Sequence, residues 1–178
     1  MNAMSPILAD LIKKNLAVIF CGINPGLKSA WDGHHFSGRS NRFWKALHQA
    51  GFTPYEINPV NDASILDFGY GLTTAVERAT ARADELSRDE FDSSIEAFKI
   101  KMMHFQPKYI AFLGKPAYVA FSGKKQVSWG CQPAGFCGSK VWVLPNPSGL
   151  NRGFTLSDLV TYYRELYMVI HKEEAAIN

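Results

Sequence analysis

Cysteine is scarce in this chain of 178 residues, which contains only Cys21, Cys131 and Cys137. Their number is odd and no two of them form a C-x-x-C pair, so the sequence indicates neither a disulfide framework nor a zinc or iron–sulfur site. We therefore expect a protein without a metal that works in a reducing compartment, the cytoplasm.

Long apolar runs are also missing. The first residues lack the pattern of a signal peptide, and no apolar run approaches the roughly 20 residues of a membrane helix. The chain also has only a small excess of charge of one sign. Its 19 Lys and Arg and 16 Asp and Glu give a net charge of +3. That value does not separate a nucleic-acid binder from other intracellular enzymes. We expect a soluble, monomeric protein with one domain over residues 1–178 and no membrane partner.

Three short apolar runs stand out in what remains. They cover residues 16–21, 109–113 and 141–144, and each is followed by a segment rich in Gly, Pro or Asn. Runs of this length that stop at such residues are typical of buried strands. A fourth short strand is expected within residues 65–73.

Helical periodicity and capping residues occur between these strands. Ser87-x-x-Glu90 and Thr155-x-x-Asp158 are capping boxes, each followed by apolar residues at helical spacing. Helices are predicted over residues 6–15, 40–50 with Ser40 as the N-cap, 87–107, 115–121, and from 155 onward. Residues 28–39 and 52–63 are predicted to be irregular. This alternation favours an α/β fold, a single three-layer α/β/α domain with a central, largely parallel sheet.

The loop over residues 22–27, with the sequence GINPGL, follows the first strand directly. Pro25 fixes its own φ and pushes Asn24 toward an extended backbone, so the Asn24 side chain is held stiffly. Because the carboxyl ends of parallel strands meet at one sheet edge, we expect Asn24, Lys115 and Asn146 to line one crevice. An ordinary turn that ends a strand is the alternative for this loop.

The same loop comes close to a phosphate-binding P-loop. GINPGLKS has Leu27 where that motif needs Gly before the lysine, and Pro25 removes one backbone donor of a phosphate nest. A degenerate P-loop nucleotide hydrolase is therefore kept as an alternative function.

Two motifs together identify a family. GINPGL at residues 22–27 and NPSGL at residues 146–150 resemble the mismatch-specific uracil-DNA glycosylases, the family that includes thymine-DNA glycosylase. The similarity covers residues 16–166 and includes NRFW at 41–44, LGK at 113–115, WG at 129–130 and WVLP at 142–145.

This resemblance implies a uracil-DNA glycosylase-like fold and assigns roles to residues. Asn24 would be the catalytic residue, whose side-chain carbonyl positions a water, because a neutral amide is not a strong base. Phe36 would stack on the extruded base, Ser29 would face the 5-position of the pyrimidine, and Asn146 stands where the superfamily often has a base-contacting His. The base pocket would also include Gly22, Ile23, Pro25, Gly26 and Leu27, in the loop whose backbone N–H groups bind the base.

The second motif would supply a wedge that fills the space left by the extruded nucleotide. The residues that the resemblance assigns to the wedge and to backbone contacts are Ser148, Gly149, Leu150, Asn151, Arg152 and Lys115. Three residues depart from the family pattern: Thr74, Ala79 where Pro is expected, and Lys28 where a small residue is expected. These departures concern backbone contacts and pocket selectivity.

The sequence thus predicts a monofunctional DNA glycosylase that needs no cofactor and no metal. Its substrate would be double-stranded DNA with G:U or G:T mismatches, from which it excises uracil, thymine or exocyclic cytosine adducts such as ethenocytosine. No lysine stands at the catalytic position to form a Schiff base, so the product would be an abasic site. A non-catalytic binder of DNA mismatches or damage is the second alternative.

Overall fold

Five strands form one sheet in the computed structural model, which describes residues 6–178. Their order across the sheet is β2-β1-β3-β5-β4. The first four of these strands are parallel, and the short β4 pairs antiparallel with β5 at one edge. The strands are β1 (Val18–Gly22), β2 (Tyr70–Thr74), β3 (Tyr109–Leu113), β4 (Gly130–Cys131) and β5 (Lys140–Leu144).

Helices cover both faces of this sheet. They are α1 (Leu27–Asp32), α2 (Phe43–Ala50), α3 (Arg88–Phe105), α4 (Lys115–Ser122) and α5 (Leu156–Ile177), with 3-10 helices at Pro59–Phe68 and Ala83–Glu85. The predicted capping boxes at Ser87 and Thr155 are both formed, since each side chain accepts a backbone N–H three residues on. None of the helices within residues 6–178 combines the length and apolarity needed to cross a bilayer.

Alternating residues of each central strand pack on opposite faces. Val18 and Phe20 of β1 join the cluster formed with α2 and α5, whereas Ile19 and Cys21 join the cluster formed with α3 and α4. A parallel sheet covered on both sides in this way has strands that are apolar at nearly every position. The predicted α/β fold class, with its largely parallel central sheet, is confirmed.

The helix predicted over residues 6–15 is wrong. This segment forms no helix and ends in a turn at residues 14–15, and Leu11 forms a two-way backbone pairing with Leu72 of β2, with N–O distances of 2.9 and 2.8 Å. Leu8 and Leu11 fit a helical repeat in the sequence, but the open edge of β2 offers backbone partners that a short helix could not match.

Other differences concern short elements. Residues 28–39 are not irregular throughout, since α1 occupies their start, and the predicted loop at residues 52–63 ends in a 3-10 helix. The N-cap of α2 is Arg42, not Ser40, and the side chain of Asn41 accepts the Phe43 N–H instead. The fourth strand occupies only Tyr70–Thr74, and β4 was not anticipated, because a two-residue strand leaves no periodic signal.

Candidate active site

The carboxyl ends of the four parallel strands surround a cleft of ≈ 410 Å³. Gly22 and Thr74 stand at the ends of β1 and β2, Leu113 ends β3, and Asn146 follows β5 closely. Most of the predicted site residues line this cleft, namely Gly22, Ile23, Asn24, Pro25, Gly26, Leu27, Ser29, Phe36, Asn146, Ser148, Gly149 and Leu150. The two sequence motifs therefore face the same cavity.

The side-chain amide of Asn24 has a fixed orientation. Its Nδ2 donates to the carbonyl of Arg78 at 2.7 Å and to Oγ1 of Thr80 at 2.8 Å. The Thr80 hydroxyl donates its own hydrogen to the carbonyl of Arg82 at 2.7 Å, so it acts as an acceptor toward Asn24. Both Nδ2 hydrogens are thereby used, which leaves Oδ1 as the atom that can accept from a ligand or a water.

Backbone hydrogen bonds connect the whole 22–27 loop, called here the catalytic loop, to residues 74–80. Ala75 and Val76 donate to the carbonyls of Gly22 and Ile23 at 2.9 and 3.0 Å. Two more bonds join the far end of the loop, because Thr80 donates to Pro25 at 3.1 Å and Leu27 donates to Thr80 at 3.2 Å. Position 24 is therefore supported from both ends.

An ion pair secures the segment that holds Asn24. Arg78 bonds Glu90 at 2.5 Å, and Glu90 also accepts the Ser87 N–H at the start of α3. The Arg78 guanidinium, with the Ser87 N–H, lowers the pKa of Glu90 to about 2. Sequence reasoning missed the support by Thr80 and Arg78, although both are neighbours of Ala79, which departs from the family pattern.

Phe36 forms one wall of the cleft and is anchored from behind. Its ring stacks on Phe43 of α2 with centroids 4.1 Å apart and an interplanar angle of 27°. The backbone of Phe36 has a positive φ of 54°, a conformation that non-glycine residues adopt rarely. Gly22 lies against this ring, since a Cβ added to the glycine would be 3.8 Å from it. The floor of the cleft is therefore formed by a glycine next to an aromatic ring.

Ser29 and His35 form a buried polar part of the lining. Ser29 lies on α1 with 7% of its surface exposed, and its Oγ accepts the Ser37 N–H at 3.1 Å. The His35 ring donates from Nε2 to the carbonyl of Ala9 at 2.8 Å, and its backbone N–H donates to Asp62. Burial lowers the pKa of His35, so the ring is neutral at pH 7.

Asn146 presents a donor to the cleft. Its Oδ1 accepts the Ser148 N–H at 2.9 Å, in the local turn geometry that asparagine favours. The hydrogens of its Nδ2 have no acceptor among residues 6–178, so this group is available to a ligand carbonyl.

Residues 146–151, called here the wedge loop, are held by one side chain. The Arg42 guanidinium donates to the carbonyls of Pro147, Ser148 and Asn151 at 3.3, 2.9 and 2.9 Å, and also to that of Phe154. The backbone N–H of Arg42 adds a bond to Pro147 at 3.0 Å. Sequence reasoning missed this role of Arg42, whose only signal was its place in the NRFW motif.

The wedge loop also touches the segment before α2 closely. A Cβ at Gly149 would come within 2.5 Å of Ser40 Cβ and 2.8 Å of its carbonyl oxygen, so only glycine fits there. Beyond this contact the chain places Leu150 at the rim of the cleft with 66% of its surface exposed.

Three predicted site residues do not line the cleft. The ammonium of Lys115 lies 4.4 Å from the centre of the Trp129 ring, so the expectation that it shares a crevice with Asn24 is wrong. Lys115 begins α4, and the indole draws its side chain away from the cleft. Asn151 donates to the Asn146 carbonyl at 2.9 Å within the wedge loop, and Arg152 is exposed beyond it.

The residues that depart from the family pattern have separate environments. Thr74 lines the cleft at the end of β2, and Ala79 is buried beside Thr80. Lys28 pairs with Asp32 at 2.8 Å along α1. Within the described part of the chain, no three His, Cys, Asp or Glu side chains are grouped so as to hold a metal ion.

The catalytic loop lacks the run of successive N–H donors that a phosphate nest needs. Pro25 has no N–H, and the Leu27 N–H is already bonded to Thr80. The helix that follows, α1, has only six residues and no Gly-Lys at its start. These features weigh against the P-loop alternative.

Comparisons with known proteins agree with this geometry. Residues 9–167 match the family model of the Uracil DNA glycosylase superfamily. The fold resembles the solution NMR structure of a candidate uracil DNA glycosylase from Methanosarcina acetivorans, with a TM-score of 0.61 and 18% identity over 92% of this chain and 98% of that chain. The structural likeness concerns the fold, whereas the family match covers both site motifs. The chain belongs to the uracil-DNA glycosylase superfamily.

Proposed function

We propose that this protein is a monofunctional, mismatch-specific DNA glycosylase that releases uracil from G:U pairs in double-stranded DNA. The observation that carries the proposal is the amide of Asn24, whose nitrogen is fully hydrogen-bonded and whose Oδ1 is left free in a cleft with an exposed leucine at its rim. The superfamily match supplies the general chemistry, cleavage of a base from DNA.

Asn24 acts by placing a water. Its Oδ1 accepts a hydrogen from the water and turns an oxygen lone pair toward C1′ of the extruded nucleotide. An amide does not remove the proton in advance, so attack follows once the glycosidic bond has stretched and the sugar has gained oxocarbenium character. Because Thr80 and the Arg78 carbonyl fix the amide, this orientation needs no rearrangement during the reaction.

The departing base is stabilised by donors. The N–H groups of Asn24 and Gly26 have no acceptor among residues 6–178, and Nδ2 of Asn146 is also available. Each preorganised donor that meets a developing negative charge typically contributes about 10²- to 10³-fold in rate. The open face of Phe36 provides the surface on which the flipped base stacks.

Mismatch preference follows from the cost of extrusion. Removing a base from the stack costs a few kcal/mol and least when the base is mispaired. Leu150 fills the space that the extruded nucleotide leaves, while a catalyst without a strong base gains most from substrates that open easily. Ser29, at the inner wall, faces the pyrimidine 5-position and admits thymine, which carries a 5-methyl group, more slowly than uracil.

One assay tests the proposal. Labelled duplexes with G:U, G:T or A:U pairs and single-stranded DNA with uracil are incubated with the protein in EDTA and then treated with alkali. We expect strand breaks at mispaired uracil first, weaker breaks at mispaired thymine, and abasic sites as the enzymatic product. Retention of mispaired duplex without any alkali-labile site would indicate a non-catalytic mismatch binder. In a separate incubation with Mg²⁺ and no EDTA, turnover of ATP or GTP would indicate a nucleotide hydrolase instead.

A further inference from the structure

We propose that a second groove beside the cleft binds the phosphodiester backbone of the strand that carries the extruded nucleotide. This inference rests on the proposed function and concerns residues outside the catalytic loop and the wedge loop. It adds Arg39 and Lys45 to the DNA-binding surface, as phosphate ligands.

The groove is continuous with the cleft. It measures ≈ 530 Å³ and runs along residues 36–45 toward residues 56–59. Phe36, Gly38, Ser40 and Asn41 line both cavities, so a chain leaving the cleft past the Phe36 wall enters the groove directly. A nucleotide held in the cleft must continue into a neighbouring phosphate at the mouth, and the groove starts there.

The charge of the groove suits a polyanion. Arg39 and Lys45 are both exposed in its lining, and neither has a carboxylate within ion-pair distance among residues 6–178. One acid, Glu56, also lines the groove and leaves the two exposed cations in excess. The third cation in the lining, Arg42, donates its hydrogen bonds to carbonyls of the wedge loop and forms one wall of the groove.

The wall formed by Arg42 connects the groove with the wedge loop. The same guanidinium that fixes residues 146–151 borders the groove, so a strand gripped by Arg39 and Lys45 lies at a set distance from Leu150. Arg39 and Lys45 would hold the backbone of the strand next to the point where Leu150 enters the base stack. Because the backbone is fixed there, the extruded conformation of the nucleotide is stabilised.

Salt dependence gives a direct test. Binding is measured to a duplex that carries 2′-fluoro-2′-deoxyuridine opposite guanine, an analogue resistant to excision, over a series of salt concentrations. Removing one cation that neutralises a phosphate reduces the slope of log Kobs against log salt by about 0.9. For the double variant Arg39→Ala/Lys45→Ala we therefore expect a slope lower by about 1.8.

The matched control is Lys14→Ala/Lys108→Ala, which removes the same charge. These lysines are exposed and precede β1 and β3, at the sheet edge opposite the cleft. The control should keep the wild-type slope. Equal slopes for the groove variant and the wild type, or equal reductions in the groove variant and the control, would overturn the proposal.

A second measurement separates this inference from the proposed function. Single-turnover release of uracil from G:U duplex should slow in the groove variant, because the extruded strand is held less firmly, while Lys14→Ala/Lys108→Ala should keep the wild-type rate. A wild-type protein that releases no uracil would contradict the proposed function, while the comparison of slopes would still decide whether the groove binds the backbone.

Neutral phosphates locate the contact. Methylphosphonate is placed singly at each phosphate next to the uracil analogue. At either of the two contacted phosphates, the wild type should lose about half of the binding free energy that the groove variant loses on native DNA, and the variant should lose nothing more there. Additive losses at every position would show that Arg39 and Lys45 meet no particular phosphate, and would overturn the proposal.

Discussion

The catalytic loop and the wedge loop line the same cleft but are stabilised in different ways. The catalytic loop has several backbone bonds to residues 74–80 and half of its residues are buried, so its support is distributed. The wedge loop has hydrogen bonds within itself, but the rest of the protein holds it mainly through Arg42 and the close contact of Gly149 with Ser40. We therefore expect the orientation of Asn24 to tolerate the loss of most neighbouring side chains, whereas the position of the wedge loop depends on Arg42.

Asn24→Ala gives the largest effect and tests the catalytic side of the comparison. Removing Oδ1 leaves the water unplaced, and we expect single-turnover uracil release to fall by about 10²- to 10⁴-fold, as for the loss of a catalytic acid or base. Binding to the 2′-fluoro duplex should stay near wild type. Excision at the wild-type rate would exclude Asn24 from the mechanism.

Arg42→Met tests the wedge side. It removes the four hydrogen bonds that the guanidinium donates to residues 147–154, and hydrogen bonds that involve a charged group contribute about 1.5–3 kcal/mol each. We expect excision from G:U duplex to fall by at least about 10-fold, the factor that 1.4 kcal/mol represents. Uracil release from single-stranded DNA should change far less, because no stack has to be filled.

Arg42→Lys is the companion variant. A lysine keeps the charge but lacks the planar fork that reaches several carbonyls at once, so it should recover only part of the duplex activity. Equal losses on duplex and single-stranded substrates would mean that Arg42 supports the fold in general. Urea unfolding of both variants checks that possibility independently.

Thr80→Val sharpens the comparison by removing one of the two acceptors of Asn24. The valine keeps the shape but leaves one Nδ2 hydrogen without a partner, so the amide is less firmly oriented. We expect uracil release to slow by about 10-fold, the equivalent of one net hydrogen bond of about 1 kcal/mol or slightly more. Thr80→Ser should retain most of the rate, and an unaffected Thr80→Val would show that the Arg78 carbonyl suffices.

Leu150→Ala should have a smaller effect than Arg42→Met, because it shortens the tip without moving the loop. The truncated tip fills less of the vacated stack, and we expect a loss of a few-fold in excision from duplexes, most for A:U pairs, which cost more to open. The measurement is the ratio of A:U to G:U rates. A larger loss on single strands than on duplexes would contradict the wedge role.

The smallest expected effect is a change in how the free energy of unfolding depends on pH, caused by the buried His35. Burial lowers the pKa of His35 from its ordinary 6.5, so the unfolded chain takes up a proton more readily than the folded one. The contribution of neutral His35 to stability is complete above pH 6.5 and is lost as pH falls through the lower native pKa. His35→Gln should flatten the decline in the free energy of unfolding between about pH 7 and 5.

Sequence patterns predicted what depends on local order. The buried strands, the capped helices at Ser87 and Thr155, and the meeting of two loops at one sheet edge all follow from periodicity and from parallel topology. Contacts between residues far apart in the sequence could not be predicted. No local pattern marks Thr80 as a partner of Asn24, or Arg42 as the support of the wedge loop. Tertiary pairing also overrode propensity where Leu11 joined β2.

The pairing of Leu11 with Leu72 has a consequence beyond the local fold. β2 is the outermost parallel strand, and its free backbone groups would otherwise offer a template for a strand of another molecule. The segment before β1 occupies that template in cis, with Asp10 tied to Lys101 by an ion pair of 2.6 Å. Trimming this segment would therefore uncover the outer strand and invite edge-to-edge association of the protein with itself.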